Sequence, residues 1–523
     1  MTDNGLFKKI GAATFIMMAS IFASRVIGLF REMAIAFAGG AQGCVDAYQV
    51  AFILPEILNH IVASGFLSVT FIPIFTSYLT SGKEEEGWKV FSIIFNTFGL
   101  LLLVFIITTF AYAPELVSIL APGLKDPELF QSAVRMTRII IPAQFFFFTG
   151  GLFMAVQFAR EKFLIPALAP LLYNLGIIAG GLLLSPLIGM EGFAWGVLAG
   201  AFTGNFLLQY AGAKRLDLKL YPLINIKHPD FIRYILLTLP LMVGLTMTFS
   251  TEILLKFFGS YLDEGSIASL NYSLRIMFIL VGFFGQAVGV ASYPFMAQLA
   301  EKKEFGRLNE VLNSTLKFLI LVIPFSVLMI VLRYETVLLL FQRGEFGEKA
   351  TIMTSNVLPF LLAGAFAFAA QTVVVRGYYA AKNTWFPALF GTVTVVCSLP
   401  LFFLFMNLFQ ARGVAIALSV SAFLQVMVLY ELWSRRTGNR GKTGVYLFFL
   451  KISLISILIG LILSGITSFL YRFADNTTLT GALQVCAVAT PAFFILFTGA
   501  GYTFRIHEIF ALTRAVRQKL KRP

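Results

Sequence analysis

Residues 10–38 read IGAATFIMMASIFASRVIGLFREMAIAFA, an apolar run of membrane-spanning length that nevertheless contains two arginines, Arg25 and Arg31. A helix needs about 20 apolar residues to cross the hydrocarbon core of a bilayer. A charge at that depth costs about 2.5–3.5 kcal/mol on insertion scales, so it normally faces a watery cavity or a counter-ion. The stretch therefore predicts a transmembrane helix whose cationic groups face the pathway of an anionic substrate.

The composition of the whole chain supports the membrane assignment. Of its 523 residues, 58% are hydrophobic and 13% are charged, and the mean hydropathy is +0.84. Soluble domains carry about 25% charged residues. We predict an all-α polytopic membrane protein of about fourteen transmembrane helices, centred near Ala23, Ile61, Leu101, Ile141, Leu172, Val197, Pro240, Gly282, Ile320, Phe360, Val395, Ala417, Leu458 and Phe493.

Basic residues alternate between the predicted loops. Every second connection, together with both termini, carries most of the lysines and arginines, and the intervening loops carry few. By the positive-inside rule, both termini are predicted to be cytoplasmic. The net charge of +14 then reflects topology and contact with anionic lipid headgroups. A nucleic-acid partner would need a basic soluble face, which this sequence does not offer.

Landmark residues recur at a constant spacing of 221 positions: Pro73 and Pro294, Gly123 and Gly344, Pro166 and Pro387, and Gly192 and Gly413. Each copy would hold six helices. Because six is an even number, both copies begin on the same side of the membrane, and they are parallel repeats related by rotation about an axis along the membrane normal. We predict an N-lobe over 1–221 with helices 1–6 and a C-lobe over 222–442 with helices 7–12, separated by a cleft. Residues 443–523 would add helices 13 and 14 and a basic cytoplasmic tail.

Five short motifs lie along the chain: residues 24–32 (SRVIGLFRE), 46–47 (DA), 54–74 (beginning LP and ending FIPI), 341–346 (FQRGEF) and 377–383 (GYYAAKN). Together they resemble the MurJ (MviN) family of lipid II flippases, in the multidrug/oligosaccharidyl-lipid/polysaccharide exporter superfamily. The resemblance covers essentially the whole chain. It implies a flippase that moves undecaprenyl-pyrophosphate-linked muropeptide precursor from the inner to the outer leaflet of the bacterial cytoplasmic (inner) membrane by alternating access, for cell-wall synthesis. It also implies a cationic inter-lobe cavity, with helices 13 and 14 forming a groove for the polyprenyl tail.

Arg25, Arg31 and Arg275 are the predicted substrate-binding residues. Guanidinium groups bind phosphate oxygens bidentately, which suits a pyrophosphate. Arg25 lies about 22 Å along the first helix, near mid-bilayer, and Arg275 matches the family's cationic position in the second lobe. The alternative for Arg31 is an ion pair with Glu32 that locks bundle helices. The alternative for Arg25 is a hydrogen bond to helix-end carbonyls.

Glu32, Asp46, Asn59 and His60 are weaker candidates for the same cavity. Asp46 either caps the second helix, as an aspartate at a helix start often does, or serves the family's acidic position. Relatives commonly carry an arginine pair where this chain has Asn59 and His60, so its cavity is predicted to be less cationic than is usual in the family. His60 is either a titratable cation in a wet cavity or a hydrogen-bonded core residue.

Other charged residues of the helices have structural interpretations. Glu252 and Lys256 have the i,i+4 spacing of a stabilising helical pair. Arg135, Arg138 and Arg376 are predicted to lie near helix ends or in ion pairs within one lobe.

Other functional classes fit the residues less well. An enzyme would need clustered acids for metal or acid–base chemistry, whereas the acids of 83–86 and 262–264 read as solvated caps, so no enzyme, metal site or cofactor is predicted. A drug or cation antiporter would need carboxylates in the first lobe. The closest alternative is a flippase for another polyprenyl-linked polysaccharide unit. The predicted partners are the lipid-linked glycan and membrane lipids, and the protein is predicted to be monomeric.

Overall fold

A computed structural model describes residues 3–59, 66–506 and 508 of the chain. Throughout these ranges every regular element is a helix. Long apolar helices satisfy all their backbone hydrogen bonds internally, as a bilayer requires. The prediction of an all-α membrane protein is confirmed.

Ten helical stretches in these ranges are long and apolar enough to cross a membrane. One of them, Trp385–Thr437, contains Gln410 with a non-helical φ of 55° and ψ of −132°, so it consists of two helices joined at a kink. The predicted centres Val395 and Ala417 fall on opposite sides of that kink. The total of about fourteen spans stays a prediction.

The chain forms two compact units. Unit 1 comprises Met1–Ala268 and the short segment Arg343–Phe346, and unit 2 comprises Ser269–Gln342 and Gly347–Pro523. The lobes predicted over 1–221 and 222–442 were drawn from the sequence repeat and stay a prediction.

Unit 1 contains twelve helices within its described residues, and a π-helical segment, Ala201–Leu207, joins the tenth to the eleventh. The helices are α1 (Asp3–Gly39), α2 (Gly43–Ala51), α3 (Ile53–Leu58), α4 (Phe66–Thr80), α5 (Glu84–Ala111), α6 (Ala113–Leu120), α7 (Pro127–Ile140), α8 (Ala143–Ala159), α9 (Leu164–Ile188), α10 (Glu191–Gly200), α11 (Leu208–Lys214) and α12 (Pro229–Gly259).

Glycines allow α9 and α10 to pack backbone against backbone. A Cβ atom on Gly176 would lie 2.5 Å from the Cα of Gly200, and one on Gly180 would lie 2.4 Å from the Cα of Gly196. Small residues four apart are the usual means of close helix approach in membranes, where lipid removes the hydrophobic drive for association. This contact holds α9 in place, and α9 supplies part of the candidate site.

Unit 2 includes most of α13 (Ser266–Val281), whose first turn belongs to unit 1. A π-helical segment, Gly282–Gln286, joins α13 to α14. The remaining helices are α14 (Ala287–Glu301), α15 (Phe305–Ile320), α16 (Val322–Val331), α17 (Arg333–Phe341), α18 (Glu348–Ala380), α19 (Trp385–Thr437), α20 (Lys442–Leu470) and α21 (Leu479–Thr503).

Aromatic contacts attach α21 to the rest of unit 2. The Phe325 ring of α16 meets Phe493 and Phe497 of α21 at centroid distances of 5.3 and 5.6 Å, with interplanar angles of 64° in both pairs. Edge-to-face packing of this kind adds to the stabilisation from burial of the rings. Helix α21 is therefore packed into the unit.

Candidate substrate-binding site

Arg25 lies in the middle of α1, and its side chain is exposed. The residues around it on α1 include exposed apolar side chains, among them Phe22, which is 72% exposed, and Val26, which is 40% exposed. An accessible guanidinium is what binding of an external phosphate requires. The role of Arg25 in substrate binding stays a prediction.

Arg31 lies within a hydrogen-bonded cluster that joins α1 to α9. Its Nη2 donates to the Glu32 Oε1 at 2.6 Å, and its Nη1 donates to the Asn174 Oδ1 at 3.0 Å. Asn174 in turn donates from Nδ2 to the Pro170 carbonyl at 2.9 Å. Glu32 is buried, with 4% of its surface exposed. The ion pair with Glu32, considered as the alternative for Arg31, is present, but it lies within α1; the hydrogen bond from Arg31 to Asn174 is what links α1 to α9.

Asp46 is buried on α2, where its carboxylate caps a different helix. Oδ2 accepts from the Gly265 backbone N–H at 2.6 Å, and Oδ1 accepts from the Ala268 N–H at 2.7 Å. The N-cap residue of α2 is Gln42. Asp46 therefore does not cap its own helix, because it already lies inside the first turn. It satisfies the free amides at the start of α13, where a negative charge also interacts favourably with the helix dipole.

The segments just before α2 and α13 pack closely near Asp46. A Cβ atom on Gly43 would lie 2.8 Å from the Glu264 Oε2, and one on Gly265 would lie 2.1 Å from the Ala41 carbonyl oxygen. Gly265 also has a φ of +83°, in the left-handed region that favours glycine. Glycine at position 265 is thus required both by the backbone angle and by the close approach to Ala41.

Arg275 is half-buried on α13, nine residues after the helix begins, or about 13 Å along its axis. The flanking Leu274 and Ile276 are fully buried. Asn59 is half-buried at the end of α3. His60 lies outside the described residues. The participation of these residues in substrate binding stays a prediction.

A buried ion pair joins α3 to α12, and the sequence reasoning missed it. The Lys256 Nζ lies 2.7 Å from the Glu56 Oε2, and the Lys256 side chain is 1% exposed while that of Glu56 is 24% exposed. The i,i+4 spacing in the sequence predicts Glu252 as the partner of Lys256. Tyr173 of α9 lies within electrostatic reach of both Glu56 and Arg31, so the Arg31–Glu32 and Glu56–Lys256 ion pairs belong to one polar region.

Arg135 and Arg138 have partners within unit 1, as predicted. The Arg135 Nε lies 2.7 Å from the Glu191 Oε1, and Arg138 donates to the Phe110 carbonyl at 3.0 Å. The described residues contain no cluster of three or more His, Cys, Asp or Glu side chains that could hold a metal ion.

The sequence profile of the family described as "Lipid II flippase MurJ" matches residues 34–482. The chain belongs to the MurJ family. A Buchnera aphidicola (subsp. Baizongia pistaciae) protein named "Probable lipid II flippase MurJ" is 27% identical over 438 residues, which cover 82% of this chain and 85% of the relative. The resemblance drawn from the sequence motifs is confirmed.

Solved structures extend the MurJ assignment to the fold. One described as "Lipid II flippase MurJ, inward closed conformation" matches with a TM-score of 0.76 at 24% identity and covers 94% of this chain and 99% of its own. An inward-facing multidrug resistance MATE transporter of the MOP superfamily matches with a TM-score of 0.65 at 12% identity, covering 80% of this chain and 96% of its own. The chain therefore has the fold of that exporter superfamily and is a multi-pass membrane protein.

Proposed function

We propose that this protein is a lipid II flippase. It would move undecaprenyl-pyrophosphate-linked muropeptide from the inner to the outer leaflet of the cytoplasmic membrane. The match of the MurJ family profile to residues 34–482 carries this proposal. The names of the relatives agree with it. The substrate is lipid-linked, the protein moves it without chemical change, and no cofactor is needed.

Arg25, whose side chain is exposed, is proposed as a pyrophosphate contact in unit 1. Arg31 has a carboxylate at 2.6 Å, and a phosphate would have to compete with that partner. Arg25 and Arg275 would thus contact the pyrophosphate, and Arg31 would position α1 against α9. Glu32 serves this site as the partner of Arg31. Asn59, a neutral residue, and His60, a titratable one, would contact the glycan. The cavity would then be less cationic than in relatives that have arginines at these two positions.

Asp46 supports an alternating-access mechanism. Its two hydrogen bonds to Gly265 and Ala268 hold the start of α13 against α2. The positive-inside pattern assigns this end of the helices to the outside and both termini to the cytoplasm. These hydrogen bonds would close the outer end of the pathway, and they would have to break before the headgroup leaves.

Helices α20 and α21 would hold the polyprenyl tail. One face of α20 is buried through Ile452, Ile455 and Ile459, while Ile457 and Leu458 are each 56% exposed. An apolar surface open to lipid suits a long hydrocarbon chain that cannot enter a cationic cavity. The tail would stay in the bilayer as the headgroup crosses.

Rescue of a bacterium depleted of its own lipid II flippase tests the proposal directly. The wild-type chain should restore growth, Arg25→Ala should fail at equal membrane abundance, and Arg25→Lys should restore it in part, because an ammonium keeps the charge but loses the bidentate fork. Arg138→Ala is the matched control, since that arginine binds the Phe110 carbonyl.

The result with the wild-type chain also distinguishes lipid II transport from the second candidate function. Asn59, where relatives commonly have an arginine, favours a flippase for another polyprenyl-linked glycan. Failure of the wild-type chain to rescue, together with transport of a different polyprenyl-pyrophosphate glycan in vesicles, would replace lipid II by that substrate.

A further inference from the structure

Arg376 is a charged residue that the proposed pathway does not use. It lies on α18, four residues before the helix ends at Ala380, or about 6 Å along the axis. The side chain is half-buried, and its Nη1 atom is buried with no hydrogen-bond partner in the described part of the chain. A buried guanidinium nitrogen without a partner is costly. The sequence placed Arg376 near a helix end, and the structure agrees.

Helix α14 provides a notch for this guanidinium at Gly289. A Cβ atom on Gly289 would lie 2.5 Å from the Arg376 Nη1 and 3.3 Å from its Cζ. Any larger residue would therefore displace the guanidinium. The absence of a side chain at Gly289 therefore makes room for Nη1.

Two tyrosines stand beside Arg376. Tyr293, one turn beyond Gly289 on α14, interacts electrostatically with both Arg376 and Tyr379 of α18. Tyr293 is 38% exposed. No carboxylate within the described ranges contributes to the electrostatic environment of Arg376. Arg376, Tyr293 and Tyr379, which we call the Arg376 cluster, thus combine a cation and two hydroxyls without an acid to neutralise them.

We propose that the Arg376 cluster binds the phosphate of a lipid headgroup. Guanidinium and phenol groups donate to phosphate oxygens, and charge-assisted hydrogen bonds of this kind are about twice as strong as neutral ones. A position one turn from a helix end lies near the headgroup layer, where lipid phosphates are concentrated. Lys382, two residues beyond the end of α18, marks this end as the cytoplasmic one.

Two lipids could supply the phosphate: an anionic phospholipid, or the pyrophosphate of the transported lipid on its way to the cavity. The second source rests on the proposed function, whereas the first does not. The cluster would then be a site of first contact on the cytoplasmic side, separate from Arg25 and Arg275.

Native mass spectrometry of the purified full chain would measure the two sources separately. The probes are phosphatidylglycerol, lipid II and, as the uncharged, phosphate-free reference, diacylglycerol. Arg376→Gln should weaken binding of at least one phosphate probe about tenfold relative to diacylglycerol, and Arg376→Lys should weaken it less. Gly289→Ala keeps the charge but displaces the guanidinium, so it should act in the same direction. Thermal midpoints without added lipid establish that each variant is folded.

Lys382→Gln is the matched control. It removes the same charge from the same end of α18, and Lys382 is exposed and lies 2.8 Å from the Glu301 carboxylate. It should leave binding of both phosphate probes unchanged. An equal loss with Lys382→Gln, or wild-type binding of both probes by Arg376→Gln and Gly289→Ala, would overturn the site.

Loss for lipid II alone would assign the site to the transported lipid, and loss for phosphatidylglycerol alone would assign it to phospholipid. Transport assayed in parallel separates this proposal from the proposed function. If the wild type does not transport lipid II, the proposed function is contradicted, but a tenfold loss of phosphatidylglycerol binding in Arg376→Gln would still support the site. Transport by the wild type with unchanged binding in the Arg376 variants would contradict the site alone.

Discussion

Replacing Asp46 by alanine should release the first turn of α13. The substitution leaves the Gly265 and Ala268 amides without their acceptor, and Asp46 is 4% exposed, so water does not readily take its place. A buried donor without a partner costs about 1–3 kcal/mol. Two such donors, with the loss of the charge at the helix start, give an expected destabilisation of about 3 kcal/mol at this end of the unit.

Asparagine at the same position should have an intermediate effect. Its Oδ1 can accept from one amide, but its Nδ2 is a donor and would face the second amide N–H. One charge-assisted hydrogen bond is then lost, which corresponds to about 1.5 kcal/mol or more. The expected order of stability at the start of α13 is aspartate, then asparagine, then alanine.

Amide hydrogen exchange of the protein in nanodiscs measures this effect where it occurs. Local opening that becomes easier by about 3 kcal/mol speeds exchange about a hundredfold, because 1.4 kcal/mol is a factor of ten. We expect that increase at residues 265–268 for Asp46→Ala and about a tenfold increase for Asp46→Asn. Transport should fall in the same order if this cap closes the outer end of the pathway.

Asp126 offers a matched control within the same unit. Its carboxylate also accepts from two backbone amides, those of Glu128 at 2.9 Å and Leu129 at 2.8 Å, but its side chain is exposed. Water can replace an exposed cap, so Asp126→Ala should cost about 1 kcal/mol and leave transport intact. Equal exchange in wild type and Asp46→Ala at residues 265–268 would refute the reasoning.

Two further predictions concern the interior and the lipid-facing surface. Lys256→Met should lower the thermal midpoint by an amount equivalent to about 3 kcal/mol, because breaking a buried ion pair is strongly destabilising. Adding Glu56→Gln should cost little more, since the pair is already broken, and simply additive losses in thermal unfolding would argue against the pair. Ile457→Gln or Leu458→Gln on α20 should weaken binding of full-length lipid II but not of a short-tailed analogue. Equal weakening for both analogues in a binding titration would indicate a structural role for α20.

The sequence was enough to predict that the protein is a membrane protein and to identify its family, because the apolar runs and the motifs are each contained in one short segment. A bilayer demands about 20 apolar residues per helix, and that demand is visible in each apolar run. The motif at 24–32 lies in a single helix and needs no knowledge of packing. The pairing of Arg31 with Glu32 could be considered beforehand for the same reason, since the two residues are adjacent.

Partners distant in the chain were not predictable in this way. Asp46 lies 219 positions from Gly265, and Glu56 lies 200 positions from Lys256. A rule for neighbours on one helix selected Glu252 as the partner of Lys256, although the bond that forms reaches another helix. The rule fails here because a buried ammonium pairs with whichever carboxylate packing brings within reach.

The sequence by itself determined that this chain is a helical membrane protein of the MurJ family with arginines at bilayer depth, because hydropathy and motif residues are properties of single segments. Only the tertiary structure decided which groups distant in the chain become partners. It joined Arg31 to Asn174, gave Asp46 the amides of another helix, and placed Gly289 against Arg376. The physical reason is that hydrogen bonds and ion pairs act over a few ångströms, and that proximity is set by how helix faces pack, not by distance along the chain.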